Sequence, residues 1–355
     1  MAGWEQHVRK VIPYVPGEQP RQEGMIKLNT NENPYPPAPG VARALREMDP
    51  EQFRLYPDPA ASLLVDSLAR RYGLASNQIF VGVGSDDVLA MAFLTFFNGK
   101  KPILFPDITY SFYDVWANLY RIPYQCQPLD EAFCIRPEDY ERENGGIVLA
   151  NPNAPTGVAA GLKTLQGILE QNRDVIVIID EAYIDFGGDS AVSLIPSYDN
   201  LLVVQTFSKS RSMAGMRIGY AMGQPRLIQY LNDVKYSFNS YTMSQASLRL
   251  GAEAVAEEAY FLDTTKKIIN TRERVKKELT GLGFVFPDSK GNFIFASHPQ
   301  ISAQELFEAL KREKIYVRYF PKPRIQDYLR ITVGTDSQMD ILLSFLKDYT
   351  SIDRP

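Results

Sequence analysis

Between residues 78 and 235, short apolar runs alternate with stretches of helical periodicity, and this alternation restricts the fold more than any other feature of the chain. Gln78–Val83, Pro102–Phe105, Pro123–Gln127, Gly146–Ala150, Val175–Asp180, Leu201–Thr206 and Arg217–Met222 read as strands. Helices are expected over Ser85–Phe97, Tyr113–Tyr120, Leu162–Gln171 and Pro225–Lys235. Another precedes them at Ser62–Tyr72, where Leu64, Leu68 and Tyr72 repeat every four residues before Gly73. Buried strands separated by helices imply an α/β fold, a mostly parallel sheet covered by helices. After about residue 243 the texture changes. A long helix over Met243–Leu279, broken at most once, is followed by short strands at Phe284–Phe286, Phe293–Ala296, Tyr316–Tyr319 and Leu329–Val333. Helices Ala303–Glu313 and Ser337–Tyr349 lie between and after them. The expected division is therefore an N-terminal arm over 1–42, a large domain over 43–242 and a smaller α+β domain over 243–355. The prolines of Asn33–Gly40 should keep that part of the arm extended.

Composition removes several classes of function. Of 355 residues, 38 are Lys or Arg and 42 are Asp or Glu, giving a net charge of −4 with no basic run, so a nucleic-acid partner is not expected. Cys126 and Cys134 are too few for a disulfide framework and lack zinc-ligand spacing. His7 and His298 stand near opposite ends of the chain, which excludes a multi-histidine metal site; no metal is expected. The apolar runs stop after four or five residues, and the first ten residues hold no signal-peptide stretch, so a membrane partner is not expected and a cytoplasmic location is.

In a parallel sheet, ligands collect at the carboxyl ends of the strands. The run Val175–Ile179 leads into Asp180-Glu181-Ala182-Tyr183. An acid there is costly unless a cation meets it, although such an Asp is as often a loop cap. Leu201–Gln205 leads into Thr206-Phe207-Ser208-Lys209. A lone lysine at that place is usually a solvated loop residue, but a desolvated one can attack carbonyls. Val81-Gly82-Val83-Gly84-Ser85-Asp86 passes from strand to helix and offers free N–H groups to an anion. It lacks the complete dinucleotide fingerprint and the P-loop lysine, which weighs against a nucleotide site. Arg217 follows Lys209 by eight residues, with Thr206 and Ser208 supplying hydroxyls. An anion cradle, a buried acid and a reactive amine together describe a pocket for a phosphorylated aromatic aldehyde, and pyridoxal phosphate is such a molecule.

These residues also carry a resemblance. Asn151-Pro152-Asn153-Ala154-Pro155-Thr156-Gly157, Asp180-Glu181-Ala182-Tyr183 and Ser208-Lys209 with Arg217 resemble the fold-type I pyridoxal-phosphate aminotransferases. Leu28–Pro34, Arg54–Pro59, Pro106–Tyr113 and Leu329–Thr335 are similar to the narrower histidinol-phosphate aminotransferase family. The resemblance runs from about Tyr14 to the C-terminus. It implies that Lys209 bonds the cofactor aldehyde and then moves the proton, that Asp180 pairs with the ring nitrogen, and that Tyr183 donates to the phenolic oxygen. Tyr110 would stack on the ring, its alternative being a core aromatic. Ser85, Asp86, Thr206, Ser208 and Arg217 would hold the phosphate. Tyr56 would reach the phosphate of a neighbouring subunit in a homodimer, against which the arm would also pack. The family places Asn directly before Pro-Thr-Gly; here Ala154 stands there and Asn153 one place earlier. Asn153 then serves the ring oxygen, or Tyr183 serves it alone.

Arg330 sits among Leu329, Ile331 and Val333, where a guanidinium suits bidentate binding of an anion. The resemblance implies that Arg330, with Arg318 and Tyr14, binds substrate; an ion-pair role is the alternative for Arg318. The expected substrates are histidinol phosphate and glutamate or 2-oxoglutarate. An aromatic or broad-specificity aminotransferase, or a phosphothreonine-type decarboxylase, would share Lys209 and Asp180. A non-catalytic ligand-binding module is a further alternative, though the chain shows no DNA-binding extension.

Overall fold

The computed structural model describes residues 3–351. The first two and last four residues of the expected arm and C-terminal division lie outside them. The arm runs over the surface to β1 (Ile26–Lys27) and on to α1 (Pro39–Glu47). The extended proline segment therefore ends two residues early. Pro39 opens a helix because the first helical position needs no N–H and favours the φ that proline fixes.

The large body follows as α2 (Ser62–Tyr72), β2 (Ile79–Gly82), α3 (Ser85–Phe96), β3 (Ile103–Pro106), α4 (Tyr113–Tyr120), β4 (Tyr124–Gln127), β5 (Gly146–Ala150), α5 (Leu162–Gln171), β6 (Val177–Asp180), β7 (Leu201–Thr206), β8 (Gly219–Gly223) and α6 (Pro225–Phe238). Its seven strands lie in the order β2-β8-β7-β6-β5-β3-β4. Neighbours are parallel except at β8, which is antiparallel to both β2 and β7. Side chains alternate across the sheet. Val177 and Ile179 of β6 pack with Leu64 and Leu68 of α2 and Leu165 of α5, whereas Ile178 packs with Leu89 of α3, Trp116 of α4 and Leu231 of α6. All three β6 side chains are fully buried, each removing about 1.5–3 kcal/mol worth of apolar surface from water. This double burial explains why β6 carries no polar face.

The strand expected at Arg217–Met222 begins two residues later. Arg217 has φ 52°, in the left-handed region, so it cannot continue an extended strand backwards from Gly219. Gly219 can begin one because its α-carbon passes close to the turn before α3: a Cβ there would lie 2.3 Å from Gly84 C and Ser85 N.

The rest of the chain comprises α7 (Gln245–Ala256), α8 (Glu258–Gly281), β9 (Phe293–Ser297), α9 (Ala303–Arg312), β10 (Ile315–Tyr316), β11 (Arg318–Tyr319), β12 (Tyr328–Thr332) and α10 (Asp336–Thr350). The long helix expected from Met243 breaks at Glu257, whose ψ of 53° leaves the helical region. The strand expected at Phe284–Phe286 is a single bridge from Val285 to Ser297. That expected at Tyr316–Tyr319 splits in two: β10 pairs in parallel with β1, and β11 joins β12 and β9 in a three-stranded antiparallel sheet. A separate apolar cluster unites Ile294, Ile331, Leu306, Leu342 and Ile268 with Ile26 and Leu28 of the arm. Among the described residues no helix is long and apolar enough to cross a membrane.

Candidate active site

The carboxyl ends of β2, β3, β5, β6 and β7 all point to one edge of the sheet. Because β8 runs the other way, it starts at that same edge and brings Arg217 with it. A cavity of about 230 Å³ opens there, and its walls include Ser85, Asp86, Tyr110, Asp180, Tyr183, Thr206, Ser208, Lys209 and Arg217. Strand direction alone thus gathers these residues from four separate connections. A more open groove of about 630 Å³ lies along β2 and α6. Its buried cation, Lys235, is held by the carbonyl of Pro59 at 2.8 Å.

Asp180 ends β6 and is almost wholly buried. Its Oδ2 accepts from the Tyr113 hydroxyl at 2.8 Å and its Oδ1 from the Ala182 N–H at 3.2 Å. Burial pushes its carboxyl up to about 6, against the pull of these two donors. No cation forms an ion pair with it among the described residues, so the carboxylate is suited to a cationic ligand group. Lys209 extends from the turn after β7 and donates its Nζ to the carbonyl of Thr30 at 3.0 Å. The Nζ also lies 5.7 Å from the centroid of the Tyr183 ring. The arm therefore supplies part of the wall, with Thr30 and Glu32 lining the cavity. Asn33 donates to the carbonyls of Lys209 and Ser210, fixing the backbone that carries the amine.

At the other end, α3 presents its first N–H groups, which have no partner within the helix. Gly84 has φ +86°, and a Cβ there would lie 2.4 Å from Arg217 Nη2, so the guanidinium rests directly over the turn. Arg217 also reaches Asp86 Oδ2 at 3.3 Å, and Tyr110 donates to the other oxygen of Asp86 at 2.7 Å. Burial, together with Asp86, holds the Tyr110 hydroxyl well above its ordinary range. Thr206 donates to Ser208 Oγ at 3.0 Å beside this cradle.

Arg330 stands beyond the cavity on β12. It donates to the carbonyl of Asn29 at 3.0 Å, while its Nε is buried with no hydrogen-bond partner among the described residues. Arg318 on β11 is its partner in the antiparallel register. Like charges directly opposite one another are unfavourable, and neither arginine forms an ion pair among the described residues. Burial pulls the Arg330 pKa down, and the nearby Arg318 adds to this. Tyr14 stacks on Phe112 with 4.1 Å between ring centroids and lies close enough to Arg330 and Tyr110 to influence both.

Two of the expected cofactor-binding residues stay apart. Asn153 does not line the cavity: its amide donates to Ile108 O at 2.9 Å and Thr156 Oγ1 at 3.0 Å, and its oxygen accepts from Thr109 at 2.8 Å. Ala154 and Pro152 line the cavity instead. Tyr56 is 79% exposed and stacks on Tyr241 at 4.6 Å, outside the cavity. Sequence reasoning gave no role to Thr30, Asn31, Asn33 or Tyr113, although all four lie within motifs that carried the resemblance.

The geometry fits pyridoxal phosphate at both ends, with a buried acid facing the amine and a cationic, N–H-rich turn opposite. A family model described as aminotransferase class I and II matches residues 23–346. A histidinol-phosphate aminotransferase from Lactococcus lactis subsp. cremoris is 51% identical over 346 residues, covering 98% of this chain and 97% of that protein. The chain belongs to the histidinol-phosphate aminotransferase family. Another relative of that name, from Clostridium acetobutylicum, is 50% identical over 346 residues, 97% of this chain and 98% of the relative. The fold of this aminotransferase matches a histidinol-phosphate aminotransferase from Sinorhizobium meliloti, solved in complex with pyridoxal-5'-phosphate. The TM-score is 0.83 at 23% identity over 98% of this chain and 93% of that one.

Proposed function

We propose that the chain transfers an amino group between glutamate and imidazole-acetol phosphate, giving L-histidinol phosphate and 2-oxoglutarate, as a step in histidine biosynthesis. The observation that carries this reading is the pair Arg318 and Arg330, set opposite each other in register with no ion pair among the described residues. A doubly cationic wall accepts either a phosphate or a carboxylate, as two substrates taking turns in one site require.

When bound, pyridoxal phosphate supplies an aldehyde for an amine and a cationic ring that accepts the electron pair released at the substrate carbon. Lys209 would be the amine that holds the aldehyde, and its Nζ would be the base that moves the proton at the substrate carbon. The carbonyl of Thr30 holds it at the cavity wall. Asp180 keeps the ring nitrogen protonated, and the cation in turn lowers the cost of burying a charged carboxylate. Tyr183 would donate to the phenolic oxygen, and Tyr110 would lie against the ring. The first turn of α3 at Ser85 and Asp86, with Thr206, Ser208 and Arg217, binds the phosphate. Tyr14 completes the substrate end beside Arg330. Asn153 has no place in this reading because its amide is engaged elsewhere.

The active unit is a homodimer, and its location is the cytoplasm. Tyr56, Phe53, Leu55, Phe238 and Tyr241 form an exposed aromatic and apolar surface of the kind that marks an interface. The division remains an arm over 1–42, a large domain over 43–242 and a small domain over 243–355. The apolar cluster around β9 and β12 supports a separate small body from α8 onward, whereas Met243, Leu248 and Val255 at the start of 243–355, and Ala38 and Val41 of the arm, pack with Leu64 of the large body.

The test is the visible absorbance of protein loaded with pyridoxal phosphate before and after addition of histidinol phosphate alone. Conversion to the amine form of the cofactor is expected without a second substrate. An unchanged band would refute the substrate assignment, and release of carbon dioxide would replace transamination by decarboxylation.

A further inference from the structure

The hydroxyl of Tyr183 makes one hydrogen bond among the described residues, and in it the tyrosine is the acceptor: Asn31 Nδ2 donates to its oxygen at 3.0 Å. Asn31 belongs to the arm, is 1% exposed and has φ 56°, a conformation that Asn and Asp tolerate better than most residues. Every polar atom of this residue is engaged. Its backbone N–H donates to Thr332 Oγ1 at 3.0 Å, the Thr332 hydroxyl donates back to Asn31 Oδ1 at 3.0 Å, and its carbonyl accepts from Asn292 at 3.0 Å.

This arrangement fixes the amide. A hydroxyl has one proton; that of Thr332 goes to Oδ1, so Oδ1 faces β12 and Nδ2 faces the tyrosine. With a donor already on its oxygen, Tyr183 must aim its own proton elsewhere. Its ring lies edge-on to Phe293 with centroids 5.0 Å apart, and the remaining open direction is the cavity that it lines. Ala154, which has no side-chain donor, also lines the cavity, while the Asn153 amide is held by Ile108 and Thr156.

We propose that Asn31 is a positioning residue for Tyr183, turning the tyrosine hydroxyl proton into the cavity toward the phenolic oxygen of the cofactor in a site where Ala154 leaves no second donor. This rests on the cofactor reading given above. Thr332 orients Asn31, so the chain of hydrogen bonds begins on the same strand as Arg330, two residues away.

The experiment follows the pH dependence of the visible absorbance of protein loaded with pyridoxal phosphate. It compares the wild type, Tyr183→Phe, Asn31→Asp, Asn31→Ala, Thr332→Val, and each of the last three combined with Tyr183→Phe. A donor to the phenolic oxygen favours its anionic form, so Tyr183→Phe should raise the absorbance midpoint by about one pH unit, tenfold in the equilibrium. Asn31→Asp preserves shape and the left-handed backbone but accepts the tyrosine proton, and should raise the midpoint comparably. Asn31→Ala and Thr332→Val should raise it less. In the Tyr183→Phe background none of the three should move it further. Thermal melting of each cofactor-free variant reports the fold separately. Wild-type midpoints in Asn31→Asp and Thr332→Val, with a shift in Tyr183→Phe, would overturn the role of Asn31 and leave the cofactor reading standing. An equal shift from Asn31→Asp with or without the Tyr183 hydroxyl would also overturn it. A wild-type protein without a visible band would overturn both readings.

Discussion

The hydroxyl of Tyr113 donates to Asp180 Oδ2 at 2.8 Å beneath the floor of the active site. Both groups are buried, and the bond favours the charged form of the acid against the strong opposing effect of burial. Replacing Tyr113 by Phe removes that donor and leaves the shape unchanged. A hydrogen bond to a charged group contributes about 1.5–3 kcal/mol, so pyridoxal phosphate affinity should fall roughly 10- to 100-fold. Titration of absorbance with added cofactor measures it, and unchanged affinity would show that Asp180 needs no help from Tyr113.

Replacing Lys209 by Ala should abolish covalent attachment and lower turnover by at least about 10³-fold, since both the amine and the proton-transfer group are lost. Borohydride reduction followed by peptide mass spectrometry should place the cofactor on Lys209 in the wild type and nowhere in the variant. Label on another lysine would relocate the chemistry.

Burial raises the Asp180 carboxyl to about 6 and the Glu181 carboxyl to about 7. Folded protein therefore binds more protons than unfolded protein above the ordinary carboxylate range, up to those values. Stability must fall as pH rises through that window, by about 1.4 kcal/mol per pH unit for each group held protonated by the fold. The cofactor-free protein should melt at a higher temperature at pH 5.5 than at pH 7.5. Glu181→Gln, which removes one of the two acids, should flatten that dependence. A melting temperature that rises with pH over this range would contradict the sign.

The buried Nε of Arg330 has no hydrogen-bond partner among the described residues, and a buried cation without an ion pair is costly. Arg330→Met should leave melting temperature equal or higher while raising the KM for histidinol phosphate about 10²-fold, through loss of a charge-assisted pair. Equal KM values would remove Arg330 from the substrate site.

If Tyr56 acts across a subunit boundary, two inactive variants can repair each other. Mixed dimers of Tyr56→Ala and Lys209→Ala contain one site in which both residues are native. Activity should therefore reappear when the variants are unfolded together and refolded, whereas each refolded alone stays weak. No recovery, in a mixture shown to form hybrids, would place Tyr56 outside the partner's site.

The sheet and the ends of its strands were legible because the apolar runs before Asp180 and Lys209 are continuous, a pattern that only burial on both faces requires. The reversed direction of β8 was not visible in its own residues. It depends on the left-handed turn at Arg217 and on the contact of Gly219 with Gly84, which are tertiary events. The same limit explains the arm. The segment Leu28–Pro34 entered only as part of a resemblance, and only the pairing of β1 with β10 carries it to Lys209 and Tyr183. Asn153 shows the converse, since a correct residue type one place early folds its amide into the loop instead of the cavity.

The pairing of Ile26 with Ile315 also sets an order of events on the ribosome. The strand that receives the arm is translated roughly 290 residues after it, which at cellular elongation rates means roughly 15–60 s. The seven-stranded sheet can close within that interval, with Asp180 and Lys209 already at its edge. The carbonyl that holds the lysine and the amide beside Tyr183 must wait until β10 and β12 emerge. The first part of the wall to be translated is thus the last to be installed.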